Sequence, residues 1–327
     1  MKPRRRAVTV ALGSMLALMP LGAHAQSHPY PSRPVRLIVP SAPGGSIDVV
    51  GRLVAQKFAE SMGQPFVVEN RAGAAGTIGT AVVAKGTPDG HLLLVASQSG
   101  VSAAPGLIRN LPYDPLRDLT PVILIVDQPS VLVVHPSLPV KNTREFIALA
   151  KARPDVLTFG SSGIGATQHL SAELFGLMTG TRLRHIPYKG GAPAMTDLLG
   201  GQIHFMFSPA PTATPYLVAR KMRALATTSL RRVPSLPEVP TLDESGVPGY
   251  DFSSWIGLLG PANLPREIVS RLHAETLKAL ADPVLKKQMF DLGLDSPPNT
   301  PEQFAKFIAR DIATAGRVIA AARITPE

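Results

Sequence analysis

From Val35 onward the chain alternates between short continuous apolar runs and longer stretches in which apolar residues recur every three or four positions. The runs "VRLIV", "FVVEN" and "LLLVAS" read as strands, and "IDVVGRLVAQKFAESM" and "TIGTAVVAK" between them read as helices. Val50, Leu53, Val54 and Phe58 of the first helix fall near one face. Gly or Pro stands at each change of period, which predicts βαβ units and a largely parallel sheet.

After the proline-punctuated "PYDPLRDLTP" comes "VILIVDQPSVLVVHP", two apolar runs joined by Asp127, Gln128 and Pro129. Such a long extended segment can run from one sheet into another, and a domain crossing is placed there. A second alternating set follows: helix "TREFIALAKA", strand "VLTFGSS", helix "ATQHLSAELFGLM", strand "LRHIPY", helix "PAMTDLLG", strand "IHFMF", helix "TATPYLVAR" and strand "RALATTS". The stretch "RRVPSLPEVPTLDESGVPGYD" has no periodicity and reads as a long surface connection. "SSWIGLLGP" then reads as a strand returning to the first domain, followed by the helices "PREIVSRLHAETLKALAD" and "PEQFAKFIARDIATAGRVI". The pattern thus predicts two α/β lobes, the first from residues 26–126 and 252–327 and the second, inserted, from residues 127–251. Two connections form a hinge about which lobes can close. No fixed-period repeat occurs, although the lobes share a βα plan.

The N-terminus changes where this chain is expected to work. "MKPRRR" precedes the apolar "AVTVALGSMLALMPLGA" and a small-x-small site, the pattern of an export leader cleaved after Ala25. The alternative, a membrane anchor, is disfavoured because Pro20 interrupts a run short of the roughly 20 residues a span requires. No comparable apolar run follows. The chain has no cysteine, which excludes disulfides, thiol catalysis and cysteine metal sites. Loss of Lys2, Arg4, Arg5 and Arg6 with the leader takes the formal charge from +10 to about +6. With 5% aromatic residues and no basic cluster interleaved with them, nucleic-acid binding is not expected.

Three turns share one composition: "PSAPGGSID", "NRAGAAGTIGT" between Asn70 and Thr80, and "SSGIGATQH" between Ser161 and His169. Each follows an apolar strand and opens a helix. A helix N-terminus presents N–H groups without intrahelical partners and a partial positive charge, so glycines that clear side chains away make it fit an anion. A hydrogen bond to a charged group contributes roughly 1.5–3 kcal/mol, and a micromolar ligand needs about 8 kcal/mol. Four or five bonds spread over two helix ends suffice; one turn does not. The alternatives are that the glycines serve tight geometry alone and that Ser46 or Thr167 caps its own helix. For Asp48, the first reading is a partner for the helix dipole and for Arg52 at i+4; the second is a contact to a ligand donor.

Catalytic signatures are missing. "GIGATQ" lacks the third glycine of a dinucleotide fingerprint, and no GxSxG, HExxH or GxxxxGK[ST] occurs. His91, His135, His169, His185 and His204 are scattered and read as structural. Trp255 reads as core, with a wall of the cleft as the alternative. No catalytic residue, metal site or cofactor is assigned.

The ordered set "VPSAPGGSIDVVGRL", "VVENRAGAAGTIG", "PDGHLLLVAS", "FGSSGIGATQHLSAELF", "HIPYKGGAPAMTDLLGGQI" and "SSWIGLLGP" closely resembles the Bug/TctC family. These are extracytoplasmic solute receptors, the binding components of tripartite tricarboxylate transporters, and the resemblance covers essentially the whole mature chain. It implies an α/β, two-lobed type II periplasmic-binding-protein fold with a ligand cleft between the lobes. It further implies a monomeric periplasmic protein without cofactor, which holds a small organic carboxylate through backbone N–H groups and ordered waters and presents it to integral membrane permease subunits. The matching ligand-binding positions are Ser41, Ala42, Gly44, Gly45, Ser46 and Asp48 in one lobe and Ser161, Ser162, Gly165, Ala166 and Thr167 in the other. Gly76, Thr77 and Ser99 are carried over near the cleft.

This chain departs from the family in two places. Where the family often has "GGQVDLMFD", it has "GGQIHFMFS", so His204 and Ser208 replace two carboxylates, and Ser208 is expected to face the cleft from a strand end. Losing an acid removes a partner for a ligand amine, which disfavours amino acids. In "NRAGAAG", Ala72 and Ala75 replace the family's proline and glycine. Two further functions remain open: a sensor whose closed form docks on a receptor kinase, and an exported α/β enzyme.

Overall fold

The computed structural model describes residues 30–325 except 189, 292, 293 and 295. The leader expected over residues 1–25, with its cleavage after Ala25, lies outside the described residues. The first part of the chain runs β1 (Val35–Val39), α1 (Ser46–Met62), β2 (Phe66–Asn70), α2 (Thr77–Ala84), β3 (Leu92–Ser97), α3 (Ala104–Leu107) and β4 (Leu119–Gln128). The middle runs β5 (Ser130–Val134), α4 (Thr143–Ala152), β6 (Thr158–Ser161), α5 (Thr167–Thr179), β7 (Arg184–Pro187), α6 (Gly191–Leu199), β8 (Phe205–Pro209), α7 (Ala210–Val218) and β9 (Arg223–Thr227). The last part is β10 (Ser254–Pro261), α8 (Arg266–Ala281), α9 (Pro283–Asp291) and α10 (Pro301–Ala321). Of these, α3 and α9 had no counterpart in the periodicity. Asp282 opens α9 by accepting the N–H groups of Val284 and Leu285.

Two five-stranded sheets result, ordered β2-β1-β3-β10-β4 and β7-β6-β8-β5-β9. In the first, β1 pairs in parallel with β2 and β3, and β10 enters antiparallel between β3 and β4. In the second, β6 pairs in parallel with β7 and β8, and β5 enters antiparallel between β8 and β9. The two sheets therefore have the same plan, each completed by one antiparallel strand delivered by a crossing of the chain. Only Pro129 separates β4 from β5. A proline has no N–H to give a ladder, which suits it to the point where one sheet ends and the next begins.

Continuous apolar runs form the strands because both faces of each sheet are covered. Val50, Val54 and Phe58 of α1 share one buried cluster with Leu37, Leu93 and Val95 of the first sheet. In the second sheet, Phe205 and Phe207 pack with Phe146 of α4 and Phe175 of α5. The C-terminal helix α10 joins the two. Its start is fixed by a reciprocal capping box between Thr300 and Gln303, followed by Pro301 at the first helical position. Phe304 and Ile308 then pack with Trp255 on the first sheet. Two turns on, Ala315, Val318 and Ile319 lie in the core cluster of the second.

Trp255 is fully buried, edge-on to Phe304, with its Nε1 donating to Asp311 at 2.7 Å. It is therefore a core residue, not the wall of a cleft. Beside it, Gly257 leaves the space that the Phe304 ring fills, and a Cβ there would collide with the ring. Gly257→Ala should accordingly lower stability by about 1–3 kcal/mol through displacement of α10. Urea unfolding followed by Trp255 emission measures this; an unchanged midpoint would mean that α10 is not seated on that glycine.

Candidate functional site

The strand order decides where residues can converge. Because β4 is parallel to β1–β3, it leaves the first sheet at their carboxyl ends; β5 begins at Ser130, opposite Pro209, where the parallel strands of the second sheet end. The carboxyl ends of the two parallel sets thus face each other across Pro129. In open α/β sheets ligands bind outside the carboxyl ends, where the chain reverses its direction of winding. Those points lie between β1 and β3 in one sheet and between β6 and β8 in the other. The turns after these four strands contain Ser41–Asp48, Ser99, Ser161–Thr167 and the end of β8 at Ser208.

In the first turn, Ala42, Gly44, Gly45 and Ser46 are exposed and Ser41 is half-buried. Gly45 is the N-cap of α1 and offers no side chain, so Ser46 is the first helical residue and does not cap the helix. The first intrahelical bond is from Val49 N–H to Gly45 O, which leaves the N–H groups of Ser46, Ile47 and Asp48 without helical partners. The Asp48 carboxylate is buried. It accepts from Gly44 N–H at 2.9 Å, from Arg52 Nε at 3.0 Å and from Asn70 Nδ2 at 2.8 Å. Asn70 Nδ2 also donates to Ser41 O at 3.1 Å, tying the end of β2 to the turn. Arg52 chiefly, with Gly44 and Asn70, holds the Asp48 pKa down at about 2. The Gly44 N–H is thus already donated, and the open donors begin after it.

The third turn repeats this device with a different side chain. Ala166 is the N-cap of α5, again without a side-chain cap, and Thr167 is the first helical residue. The first intrahelical bond is from Leu170 N–H to Ala166 O, leaving the N–H groups of Thr167, Gln168 and His169 without helical partners. Buried His169, four residues after Gly165, accepts the Gly165 N–H on Nδ1 at 3.0 Å, just as Asp48 accepts that of Gly44. His169 stacks on His185 with ring centroids 3.8 Å apart, and burial together with that neighbour lowers the His185 pKa to about 4. Ser161 is fully buried: its Oγ donates to Gly163 O, accepts from Gly163 N–H and lies 2.7 Å from His185 Nε2. Ser162 Oγ donates to Gln168 Oε1 at 2.7 Å.

The remaining candidates sit beside these turns. Gly76 is buried between Pro40 and Gly100, where a Cβ would lie 3.4 Å from Pro40. Thr77 is buried and its hydroxyl donates to Ala74 O at 2.9 Å. In this second turn Ala75 has φ 53°, a left-handed backbone that a glycine adopts freely and an alanine adopts at a cost of about 1 kcal/mol. The chain has reshaped this turn against its own side chain. Ser99 Oγ lies 3.1 Å from Ser97 Oγ at the end of β3. Ser208 is fully buried at the end of β8, its hydroxyl 3.5 Å from Pro209 O. His204 stands just before the start of β8, where its Nδ1 accepts from Thr158 N–H at 3.0 Å. It is at the opposite end of the strand from Ser208, so only one of the family's two acidic positions is at the carboxyl edge.

Beside these turns, contacts run from one lobe to the other. Thr167 Oγ1 donates to Gln98 Oε1 at 2.9 Å, and the Leu107 side chain lies against Gly165, 2.7 Å from where a Cβ would stand. Neither Gln98 nor Leu107 was legible as a partner, since the pairing joins residues far apart in sequence. Among the described residues, no group of three or more His, Asp or Glu is placed to hold a metal ion, and no helix is long and apolar enough to cross a membrane.

Comparison with known proteins bears on family and fold. The model of the tripartite tricarboxylate transporter family receptor, TctC, matches residues 50–324. Among solved structures, Rpa4515 of R. palustris with adipate is 37% identical, covers 91% of this chain and 100% of its own, and superposes with a TM-score of 0.76. MatC of Rhodopseudomonas palustris with bound malate is 32% identical, with coverages of 89% and 100% and a TM-score of 0.73. The periplasmic binding protein BugD is 36% identical, with coverages of 91% and 100% and a TM-score of 0.72. The two-sheet α/β architecture is thus that of periplasmic binding proteins.

The Asp48 brace has a pH signature. With its pKa lowered to about 2 from an unfolded value near 4, Asp48 contributes stability that is full above about pH 4 and is lost as pH falls through about 2. Asp48→Asn, weakened by about 2 kcal/mol at neutral pH, should lack that acid loss. Urea midpoints of both proteins between pH 5 and 2 test this, and parallel curves would remove the brace from the account.

Proposed function

The chain belongs to the tripartite tricarboxylate transporter receptor (TctC/Bug) family, a family of solute-binding receptors rather than enzymes, and on that premise we propose that it captures a small organic carboxylate between two lobes. One lobe is built on the first sheet, which keeps β4 to Gln128, and the other on the second sheet, from β5 at Ser130. One observation carries the reading: two helices, α1 and α5, begin without side-chain caps at the facing carboxyl edges of two sheets. Each offers open N–H groups and the positive end of a helix dipole to whatever lies between. Other described helices, α2, α6, α7 and α8 among them, also begin without a side-chain cap, so it is the place of α1 and α5 at the carboxyl edges that supports a ligand role.

The binding mechanism follows from this arrangement. A ligand carboxylate enters the open cleft and docks on one turn, either Ala42–Asp48 or Ser162–Thr167. The lobes then rotate about the paired crossings at Pro129 and Phe252–Ser253, and the second turn meets the ligand. Ligand contacts to both lobes favour the closed state over the open one. The bound adipate of Rpa4515 and the bound malate of MatC support a dicarboxylate, held with one carboxylate at each helix end. Gly76, Thr77, Ser99 and Ser208 shape the space beside the turns. The absence of an acid at Ser208 leaves no anion there to repel a second ligand carboxylate. The leader expected over residues 1–25 and the periplasmic relative BugD support a periplasmic site of action, and the family supports delivery to membrane permease subunits.

Adipate and malate are the first ligands to test. A ligand present at a hundredfold excess over its Kd should raise Tm by about 5 °C; no shift with these or any other dicarboxylate would overturn the proposal. A second test isolates a single N–H group. Ser46→Pro removes the first helical N–H at a position where proline fits, because Gly45 before it is extended with φ −75° and ψ 166°. It should weaken ligand affinity about tenfold to a hundredfold with an unchanged ligand-free Tm. Ser46→Ala separates the hydroxyl from the N–H, and Glu60→Ala on the exposed side of α1 should bind as the wild type does. Calorimetric affinities equal across all four proteins would show that the α1 end does not hold the ligand.

A further inference from the structure

We infer that Gln98 is a positioning residue that latches the two lobes together in the absence of ligand. The inference rests on the clamp proposed above but extends to residues with no assigned role. Gln98 immediately follows β3, is 1% exposed, and stands at the reversal point of the first sheet. Its amide is held at both ends. Nε2 donates to Asp311 Oδ1 at 3.3 Å, and Oε1 accepts from Thr167 Oγ1 at 2.9 Å. Asp311 in turn accepts from Trp255 Nε1 at 2.7 Å on Oδ2.

Donors and acceptors alternate along this chain without a break. Trp255 and Gln98 both donate to one buried carboxylate, so the Gln98 amide is fixed with its oxygen toward α5. An amide that could flip would present NH₂ there, next to a hydroxyl that must then accept. Burial raises the Asp311 pKa, and in its ionised form this carboxylate, which then has no donor of its own, favours the orientation with Nε2 toward it. The network therefore aims one acceptor at the first residue of α5, whose backbone N–H is one of the open donors of the clamp. Gly165, next to it, is met by Leu107 of α3.

Trp255 and Gln98 belong to the first sheet, Asp311 to α10, whose early part packs on that sheet and whose later part packs on the second, and Thr167 opens α5 of the second. Within this network, opening the lobes breaks the Thr167 to Gln98 hydrogen bond and leaves the Trp255–Asp311–Gln98 bonds in place. The latch positions α5 relative to β3 before ligand arrives, and it biases the ligand-free protein toward the closed form.

Because the chain has no cysteine, Val67→Cys on β2 and Val218→Cys at the end of α7 place two unique spin labels, one on each lobe. Both positions are exposed, at 52% and 79%. In the labelled, ligand-free protein, Gln98→Leu and Thr167→Val should each raise the ratio of open to closed distances about fivefold or more. Combining them should add nothing further, since both break the same bond. Identical distance distributions in all four proteins, or shifts that simply add, would overturn the latch. Thr167→Val is nearly isosteric at a half-buried position and decides the matter if Gln98→Leu does not fold. Repeating the measurement with excess adipate separates the two proposals: failure of adipate to bind counts against that ligand, and the ligand-free result stands or falls independently.

Discussion

A single residue between β4 and β5 sets the geometry on which the site depends. Had the connection been longer, the second sheet could have faced away from the first. With only Pro129 available, β5 must start where β4 stops, and the carboxyl ends of two parallel sets are brought edge to edge. The return at Phe252–Ser253 is tied to the same place. Thr228 N–H donates to Ser130 O, and Phe252 N–H donates to Thr228 O. The two crossings are thereby stitched side by side, and a paired crossing permits rotation about one axis while resisting others. Convergence of the turns is a consequence of chain length at one point, not of attraction between them.

The turns themselves are held from behind. A helix end that grips an anion must stay uncapped, yet an uncapped glycine turn has conformational freedom that would be lost on binding. Both turns of the proposed clamp meet this conflict with a side chain one helical turn on, which accepts the N–H of the turn glycine from below: Asp48 for Gly44 and His169 for Gly165. The two braces differ electrically. Asp48 brings a negative charge, neutralised by Arg52 and shared with Asn70, while His169 accepts on Nδ1 and stacks against a His185 that burial keeps neutral. The first jaw therefore carries an ion pair beneath it, and the second a pair of stacked imidazoles.

Much of this fold was legible in the sequence because βα alternation is a local signal. The strands "FVVEN" and "LLLVAS" and the helix "TREFIALAKA" form over the residues that periodicity marked. Short α3 was not, since four residues are too few to show a period, and α9 was not marked either. At the site, glycine-rich turns opening helices were visible, and so was the i+4 pairing of Asp48 with Arg52. The capping role weighed for Ser46 and Thr167 failed for a steric reason: each lies one residue inside its helix, behind Gly45 and Ala166. His169 and His185 looked scattered because the rest of α5 and the turn into β7 separate them in the chain, and pairing of β6 with β7 brings the rings together. Gln98 and Thr167 are 69 residues apart on different sheets, and no local pattern records such a meeting.

Magnitudes divide the labour between latch and ligand. One neutral hydrogen bond contributes about 1 kcal/mol, whereas a micromolar ligand supplies about 8. The Thr167–Gln98 bond can therefore tilt an equilibrium already close to balance but cannot hold the lobes shut against entry. A latch of that size has a definite use. A ligand that must close the protein loses the free energy of closure from its affinity, and a ligand-free form that already visits the closed state reduces that loss. A much stronger latch would reverse the benefit by barring the cleft. The contact is also made by a hydroxyl at the first residue of α5, so it leaves the backbone N–H beneath it free for the ligand. In the proposed clamp, closure and grip thus use different atoms of the same residue, and the second jaw can be ordered without being occupied.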